Sequence, residues 1–296
     1  MSANTVSTSS SAEYDVPLLD LRARHGWEIL DVADIWRYRE LLWILAMRDV
    51  RVRYKQTIVG AAWVVLQPIT QMLIFTTLFT LLGRFPTDAK DGIPYAVSLY
   101  CALVPWKLFA DSMSQSSESI VMNQGLITKV YFPRVIVPIA PIIASFVDFC
   151  VAFVVLIVLM ACYQIVPTLA ILSLPFFVLM VLASAFAVGL WTSAMNAIYR
   201  DTRYVFPFLI QLGFWVSPVV IESSVVYNSS KITPLLRIIY DLNPMVMVLN
   251  GFRWAMLGKP APEMQAVITS VVGVSILLVG GLFYFRKMET YFADKV

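Results

Sequence analysis

Long apolar runs recur along most of this 296-residue chain. A membrane-crossing helix needs roughly 20 mostly apolar residues. Six segments meet that length: residues 61–83, 95–122, 135–165, 168–199, 204–221 and 264–285. The first carries no charge, whereas the second is more polar and contains Lys107 and Asp111. The pattern predicts an all-α integral membrane protein with six transmembrane helices.

Basic residues orient these spans. With the N-terminus placed inside, the cytoplasmic segments hold 15 Lys and Arg residues and the outer segments hold 6. Positive charge is enriched on the cytoplasmic side of membrane proteins, so both termini are expected in the cytoplasm. Residues 1–35, which begin rich in Ser and Thr, are predicted to be a polar cytoplasmic tail, and residues 36–296 to be the transmembrane domain.

Residues 36–55 precede the first span and are strongly basic. On a helix, the apolar and basic positions fall on different faces: Trp43, Met47, Val50 and Tyr54 against Arg48, Arg51 and Lys55. This pattern predicts an amphipathic interface helix. A simple positive-inside anchor is the alternative, and the alternation in residues 50–55 also fits a short strand.

The outer connection between the last two predicted spans, residues 222–263, is too apolar for a solvated loop. Residues 234–240 and 245–257 predict two short helices separated by Asn243-Pro244. Neither is long enough to span, so the pattern predicts a re-entrant helical hairpin buried against protein. A pair of interfacial helices without a gating role is the alternative.

Charges inside predicted spans are costly and often functional. Lys107 and Asp111 lie four residues apart, so they share a helix face, and a structural ion pair is favoured over a proton relay. Glu118 lies near the cytoplasmic end of its span, where it reaches water. Asp148 has no partner nearby in sequence, and an inter-helix hydrogen bond is predicted for it.

Composition excludes several function classes. Only 14% of residues are charged and the net charge is +3, against roughly 25% charged residues in soluble domains, so neither a soluble protein nor nucleic-acid binding is expected. A single His and the absence of a clustered acid–base set predict neither a metal site nor an enzyme. No G-x-x-x-x-G-K-[ST] loop is present, so the chain itself is not expected to hydrolyse ATP or hold a cofactor.

Aromatic residues make up 13% of the chain, and several fall within predicted spans. Aromatic faces can stack on the C–H faces of sugars, which would suit a glycan channel, although lipid-facing or core positions are the commoner explanation. The candidates for lining such a channel are Trp63, Phe75, Phe79, Phe208, Phe214 and Trp215.

Four sequence blocks carry a family resemblance: RDVRVRYKQTIVGAAWVVLQ (48–67), LITKVYFPRVIVP (126–138), YRDTRYVFPFLIQ followed by FWVSPV (199–219), and NPMVMVLNGFRWAMLG (243–258). In order and spacing they resemble the membrane subunits of ABC-2 type polysaccharide exporters. That family includes the O-antigen, capsular-polysaccharide and teichoic-acid export permeases. The resemblance covers most of the chain beyond residue 35.

The resemblance implies a homodimeric permease in the bacterial inner membrane, with six spans per subunit and a pore between the two copies. It implies two copies of a separate ATP-binding subunit, which bind ATP and Mg²⁺. The expected function is export of a polysaccharide, linked to a lipid carrier such as undecaprenyl diphosphate, from cytoplasm to periplasm. The alternatives are an ABC-2 permease for a small lipid or drug, an integral-membrane transferase and a proton-coupled transporter.

The resemblance also assigns roles to segments. The coupling helix that contacts the ATPase maps to about residues 124–133, with contact residues Leu126, Ile127, Lys129, Val130, Tyr131, Phe132 and Arg134. The interface helix brings cations to a lipid diphosphate or to membrane lipids: Arg48, Arg51, Arg53 and Lys55. The outer gate maps to residues 234–257 and includes Asn243, Pro244, Met245, Phe252, Arg253 and Trp254.

Overall fold

The computed structural model describes residues 32–55, 60–83, 92–199, 201–228 and 233–295. Every regular element within these ranges is helical, which confirms the all-α fold. The predicted tail, residues 1–35, lies outside the described residues except at its very end. Residues 50–55 belong to a helix, so the short strand considered for them does not form.

Twelve α-helices follow one another along the described residues. They are α1 (Val32–Arg37), α2 (Arg39–Lys55), α3 (Gly60–Leu82), α4 (Tyr95–Met122), α5 (Gln124–Ile127), α6 (Ile136–Cys162), α7 (Leu174–Ile198), α8 (Thr202–Val216), α9 (Ser223–Tyr227), α10 (Pro234–Asp241), α11 (Pro244–Leu257) and α12 (Met264–Lys295). A short 3-10 helix, Leu169–Ser173, leads into α7.

Four stretches of helix in the described residues are long and apolar enough to cross a membrane: Ala62–Leu82, Ile136–Cys162, Leu169–Ile198 and Met264–Glu289. The other two predicted spans are helical but differ from these. Helix α4 has 28 residues, yet its serines and charges lower its mean hydropathy. Helix α8 has only 15 residues and ends at Val216, whereas the sequence predicted a span to residue 221.

Helix α4 lies at the centre of the bundle. It packs along α6 and α7 and also contacts α3, α8 and α11. The approach to α7 is close, because a Cβ added at Gly189 would lie 2.9 Å from the Cβ of Ser116. Small residues permit such backbone approach between membrane helices. Because other helices surround α4, it can carry polar side chains that lipid would not tolerate.

Helix α12 packs along α7 in a similar way, with a glycine at the point of close approach. A Cβ at Gly281 would lie 3.0 Å from both the carbonyl oxygen of Ala187 and the ring of Trp191. The Trp191 indole N–H donates to the carbonyl of Leu277 at 3.0 Å, and its ring stacks on Tyr284 with centroids 4.7 Å apart. These contacts fix the last long helix against the bundle.

The connection between α8 and α12 contains both predicted short helices, α10 and α11. Helix α11 has 14 residues, 11 of them buried, and it contacts α4 and α7. Its length is about 21 Å at 1.5 Å per residue, which is short of a bilayer core. Helix α10, by contrast, leaves most of its apolar side chains exposed, including Leu235, Leu236, Ile238 and Ile239.

Candidate functional site

The predicted interface helix is divided at Tyr38 into α1 and α2. Helix α2 lies against α6 and α3, and its buried residues are Leu45 and Ala46. Trp43, which the sequence placed on the apolar face with Met47, is 59% exposed. The side of α2 that faces the protein is therefore rotated away from the predicted apolar face.

The four cations predicted on α2 have different surroundings. Arg51 and Lys55 are exposed. Arg48 is also exposed, and its guanidinium binds the carboxylate of Asp49 at 2.8 Å and the side-chain oxygen of Asn123 at 2.9 Å. Asn123 directly precedes α5, so this hydrogen bond joins the interface helix to the predicted coupling segment. Arg53 turns towards the bundle.

Arg53 forms an ion pair with Asp148 of α6. The other carboxylate oxygen of Asp148 accepts a hydrogen bond from the Tyr54 hydroxyl at 2.7 Å. Burial raises the pKa of the Tyr54 phenol above its ordinary value, and the hydrogen bond and charge of Asp148 raise it further. The predicted inter-helix role of Asp148 is confirmed, and its partners are two neighbouring residues of α2.

A second ion pair lies one helix away. The Lys107 ammonium binds Asp111 at 2.9 Å, four residues on in α4, as the sequence predicted, and it also donates to the side-chain oxygen of Gln67 at 2.8 Å. A cavity of about 10 Å³, the space of about one water molecule, is lined by residues of both ion pairs: Val104, Lys107, Leu108, Asp111, Ser145, Asp148, Phe149 and Ala152. The structure thus brings the charges of α2, α4 and α6 together.

The predicted coupling helix is shorter than expected. Helix α5 ends at Ile127, although the resemblance implied a coupling helix as far as about residue 133. The Thr128 hydroxyl donates back to the carbonyl of Gln124 at 3.0 Å, a local bond of the kind that competes with helix continuation. Residues 128–135 form turns, bends and irregular chain before α6 begins.

Residues of this coupling segment face in two directions. Ile127 and Phe132 are buried in a core cluster that includes Leu45 and Phe285, so they stabilise this chain's own packing. Other predicted contact residues are on the surface: Lys129, Val130 and Tyr131, the last 74% exposed.

Arg134, the last predicted contact residue of the segment, faces α12. Its guanidinium donates to the main-chain carbonyl of Glu289, and the carboxylate of Glu289 lies 3.8 Å from its Nε. The arginine therefore ties the end of the coupling segment to the last helix.

The aromatic candidates form one cluster and several outliers. Phe214 of α8 contacts Phe75 of α3 and Trp106 of α4, with ring centroids 6.2 and 5.8 Å apart. Trp215 packs edge-on against Phe75 at 6.0 Å. Phe79 contacts Tyr95 instead, and Trp63 and Phe208 are 56% and 59% exposed. The sequence did not single out Trp106 for this role, although it joins the cluster.

The predicted outer gate begins with a well-formed helix start. The Asn243 side chain accepts a hydrogen bond from the backbone N–H of Met245 at 3.0 Å and donates to Ser217 at 2.9 Å. Asn is a favoured N-cap and Pro244 occupies the first helical position. Met245 and Phe252 are buried in the main core, and Trp254 packs edge-on against Phe177.

Arg253 is 3% exposed and binds the chain that follows α8. Its guanidinium donates to the carbonyls of Pro218 at 2.6 Å and Val219 at 2.8 Å, and more weakly to Ser98 at 3.4 Å. Non-helical backbone leaves carbonyls that need partners when buried. Arg253 supplies them, so α11 and the buried chain after α8 form one unit.

A buried ion pair that the sequence reasoning missed completes this unit. Lys259 and Glu222 are 2.5 Å apart, and their side chains are 7% and 8% exposed. The Ser98 hydroxyl donates to the same carboxylate at 2.7 Å. The available signal was that Glu222 and Lys259 are charged residues near the two ends of an apolar segment, since buried charges require partners.

Further polar contacts join α9 to α10. The Tyr227 hydroxyl donates to Asp241 at 2.5 Å, and burial, followed by this bond, raises the pKa of the Tyr227 phenol. Arg237 lies over the Tyr227 ring at 4.5 Å and pairs with Glu263. These polar contacts hold α10 against α9 and Glu263, although its apolar side chains remain exposed.

Comparison with known proteins identifies the class of this architecture. Residues 40–257 match the family described as ABC-2 type transporter. An O-antigen export system permease protein RfbA of Myxococcus xanthus is 26% identical over 266 residues, covering 90% of this chain and 98% of that protein. A protein of the same name from Klebsiella pneumoniae is 27% identical over 257 residues, covering 86% and 94%. The chain belongs to the ABC-2 type transporter family.

Proposed function

We propose that this chain is the permease subunit of an ATP-driven exporter that moves a lipid-linked, O-antigen-like polysaccharide from the cytoplasm to the periplasm. The observation that carries the proposal is the nearly full-length similarity to O-antigen export permeases. Two copies of the chain form the pore in the bacterial inner membrane. Two copies of an ATP-binding subunit supply hydrolysis, with ATP and Mg²⁺ bound there. The chain thereby serves lipopolysaccharide biosynthesis.

The proposed topology has six spans with both termini in the cytoplasm. Helix α4 is the second span: its 28 residues extend about 42 Å at 1.5 Å per residue, and surrounding helices shield its charges. Helix α8 with the buried residues that follow it is the fifth. Helices α10 and α11 form the re-entrant outer gate, which the burial of α11 and the carbonyl contacts of Arg253 support.

The cytoplasmic side couples the permease to its ATPase. Lys129, Val130 and Tyr131 are exposed on the coupling segment and enter a groove of the ATP-binding subunit, where apolar side chains fill the groove and the cation fixes orientation. The hydrogen bond between Arg48 and Asn123 links this movement to the interface helix.

The interface helix receives the lipid diphosphate. Arg51 and Lys55 are exposed at the end of α2, close to the first span, and cations of this kind bind phosphate at the inner leaflet. The glycan then passes the aromatic cluster of Phe75, Phe214 and Trp215, whose flat faces suit stacking against sugars.

Deletion of the chain in its native host tests the proposal. Undecaprenyl-linked glycan is expected to accumulate on the cytoplasmic side of the inner membrane while surface glycan disappears. Deletion of the ATP-binding subunit should give the same result. Re-expression of the wild-type chain is the matched control. Surface glycan that persists without either subunit would exclude the proposal.

A further inference from the structure

The interface helix is held by a carboxylate that belongs to a membrane-spanning helix. Asp148 lies within the span Ile136–Cys162 and is 6% exposed. One of its oxygens binds Arg53 and the other binds Tyr54. A buried carboxylate needs such partners, so Asp148 fixes the position of the end of α2.

Arg53 is not fully enclosed by this contact. Its side chain is 25% exposed, against 7% for Asp148, and the neighbouring Arg51 and Lys55 are exposed. A guanidinium binds carboxylate and phosphate through the same paired N–H donors. A diphosphate carries more negative charge than the single phosphate of a membrane phospholipid, so a diphosphate that approaches the end of α2 competes with Asp148 for this cation, whereas a phospholipid headgroup does not.

Release of Arg53 would strand a buried negative charge unless another cation were near. Lys107 and Asp148 line the same small cavity between α4 and α6. Lys107 is held by Asp111 and Gln67, and a lysine side chain is long and flexible. Movement of its ammonium across a space the size of one water molecule would neutralise Asp148.

We propose that Arg53 is a phosphate-responsive latch, held by Asp148 when no substrate is present and transferred to the diphosphate of the lipid carrier when substrate arrives, while Lys107 neutralises Asp148. This inference rests on the proposed function. Asp148 is a positioning residue in this scheme and does not contact the substrate. Arg53 contacts the substrate, and release of α2 from Asp148 opens the route by which the substrate enters from the inner leaflet.

Distances between spin labels on α2 and α6 show whether α2 is held against α6 or released from it. Ile44 and Val154 are 63% and 59% exposed and accept labels as cysteines in a chain whose own three cysteines are replaced. The full-length chain is placed in phosphatidylcholine nanodiscs, alone, with undecaprenyl diphosphate or with phosphatidylglycerol. We expect one distance without the diphosphate, a second and longer population with it, and no change with phosphatidylglycerol.

Variants separate the latch from simple docking. Asp148→Asn should show the longer population without ligand. The charge swap of Arg53→Asp with Asp148→Arg keeps an ion pair, so it should show the docked distance but no response to the diphosphate. Lys107→Gln should raise the diphosphate concentration needed for the response about tenfold, because Asp148 then lacks a second cation. Arg39→Asp, an exposed change at the start of α2, should match the wild type.

Three results would overturn the latch: a docked distance in Asp148→Asn, a wild-type response in the charge swap, or an equal response to phosphatidylglycerol. Should Asp148→Asn fail to fold, the charge swap still decides. Failure of the proposed function has a separate signature, namely surface glycan that persists after deletion of the chain. If deletion of the chain abolishes surface glycan but the spin-label distances do not change with the diphosphate, the latch is excluded and the proposed function stands.

Discussion

Replacement of Gly251 by alanine tests how tightly the predicted outer gate is seated. Gly251 lies on the buried helix α11 opposite Phe177. A Cβ at this position would lie 2.1, 2.3 and 2.4 Å from three carbons of the Phe177 ring, where carbon atoms normally stay about 3.5–4.0 Å apart. The ring is 2% exposed and is also held edge-on by Trp254, so it has little room to move.

The magnitude follows from two opposing effects. Overpacking of a well-packed core costs about 1–3 kcal/mol, and the contact with three ring atoms argues for the upper end. Alanine in place of glycine within a helix returns about 0.5–1 kcal/mol. The expected net loss is about 2 kcal/mol, a factor of about 30 in the folding equilibrium.

Gly273→Ala provides the matched control on α12. A Cβ at Gly273 would have its nearest neighbour, the carbonyl oxygen of Leu242, at 4.0 Å, so only the gain in helix stability remains. Unfolding by SDS titration in mixed micelles measures both variants, and surface glycan reports export. Equal stability of the two variants would refute the close packing of α11 against α7, while Phe177→Leu in the Gly251→Ala chain should recover part of the loss.

The other predictions concern the buried ion pair, the ATPase contact and the topology. Glu222→Gln or Lys259→Met alone should lower the free energy of unfolding by about 3–5 kcal/mol, and the double variant should lose less than the sum; additive losses would contradict an energetic coupling. Lys129→Glu should weaken co-purification with the ATP-binding subunit, whereas Arg39→Glu should not, and equal recovery would count against the coupling assignment. In a cysteine-free chain, Asn228→Cys should react with a membrane-impermeant maleimide from outside and Lys129→Cys only after permeabilisation; the reverse pattern would invert the topology.

Contacts between residues close in sequence were predictable, and distant ones were not. Lys107 and Asp111 are one helical turn apart, so helix geometry alone predicts their ion pair. The partners of Asp148 lie 95 and 94 positions away, and Lys259 lies 37 positions from Glu222. Burial of a charge shows that a partner must exist, but the identity of that partner depends on how the helices pack.

The coupling segment illustrates a different limit. Its apolar residues suit a groove on another protein and a core of this chain equally well, because both are apolar. The structure divides them, with Ile127 and Phe132 inside and Val130 and Tyr131 outside. The resemblance assigned a contact surface to this segment, while the division of its apolar residues between the core and the surface required the packing of α2, α6 and α12.

Three shorter segments are each tied to the helix bundle by an arginine. Arg53 joins α2 to α6, Arg134 joins the coupling segment to α12, and Arg253 joins α11 to the chain after α8. The partners differ in a way that bears on function. Arg253 binds main-chain carbonyls and is almost fully buried, so water and anions cannot compete for it. Arg53 binds a carboxylate and remains partly exposed, so a phosphate can. The contacts of Arg253 are therefore suited to a permanent anchor, and those of Arg53 to an exchangeable contact.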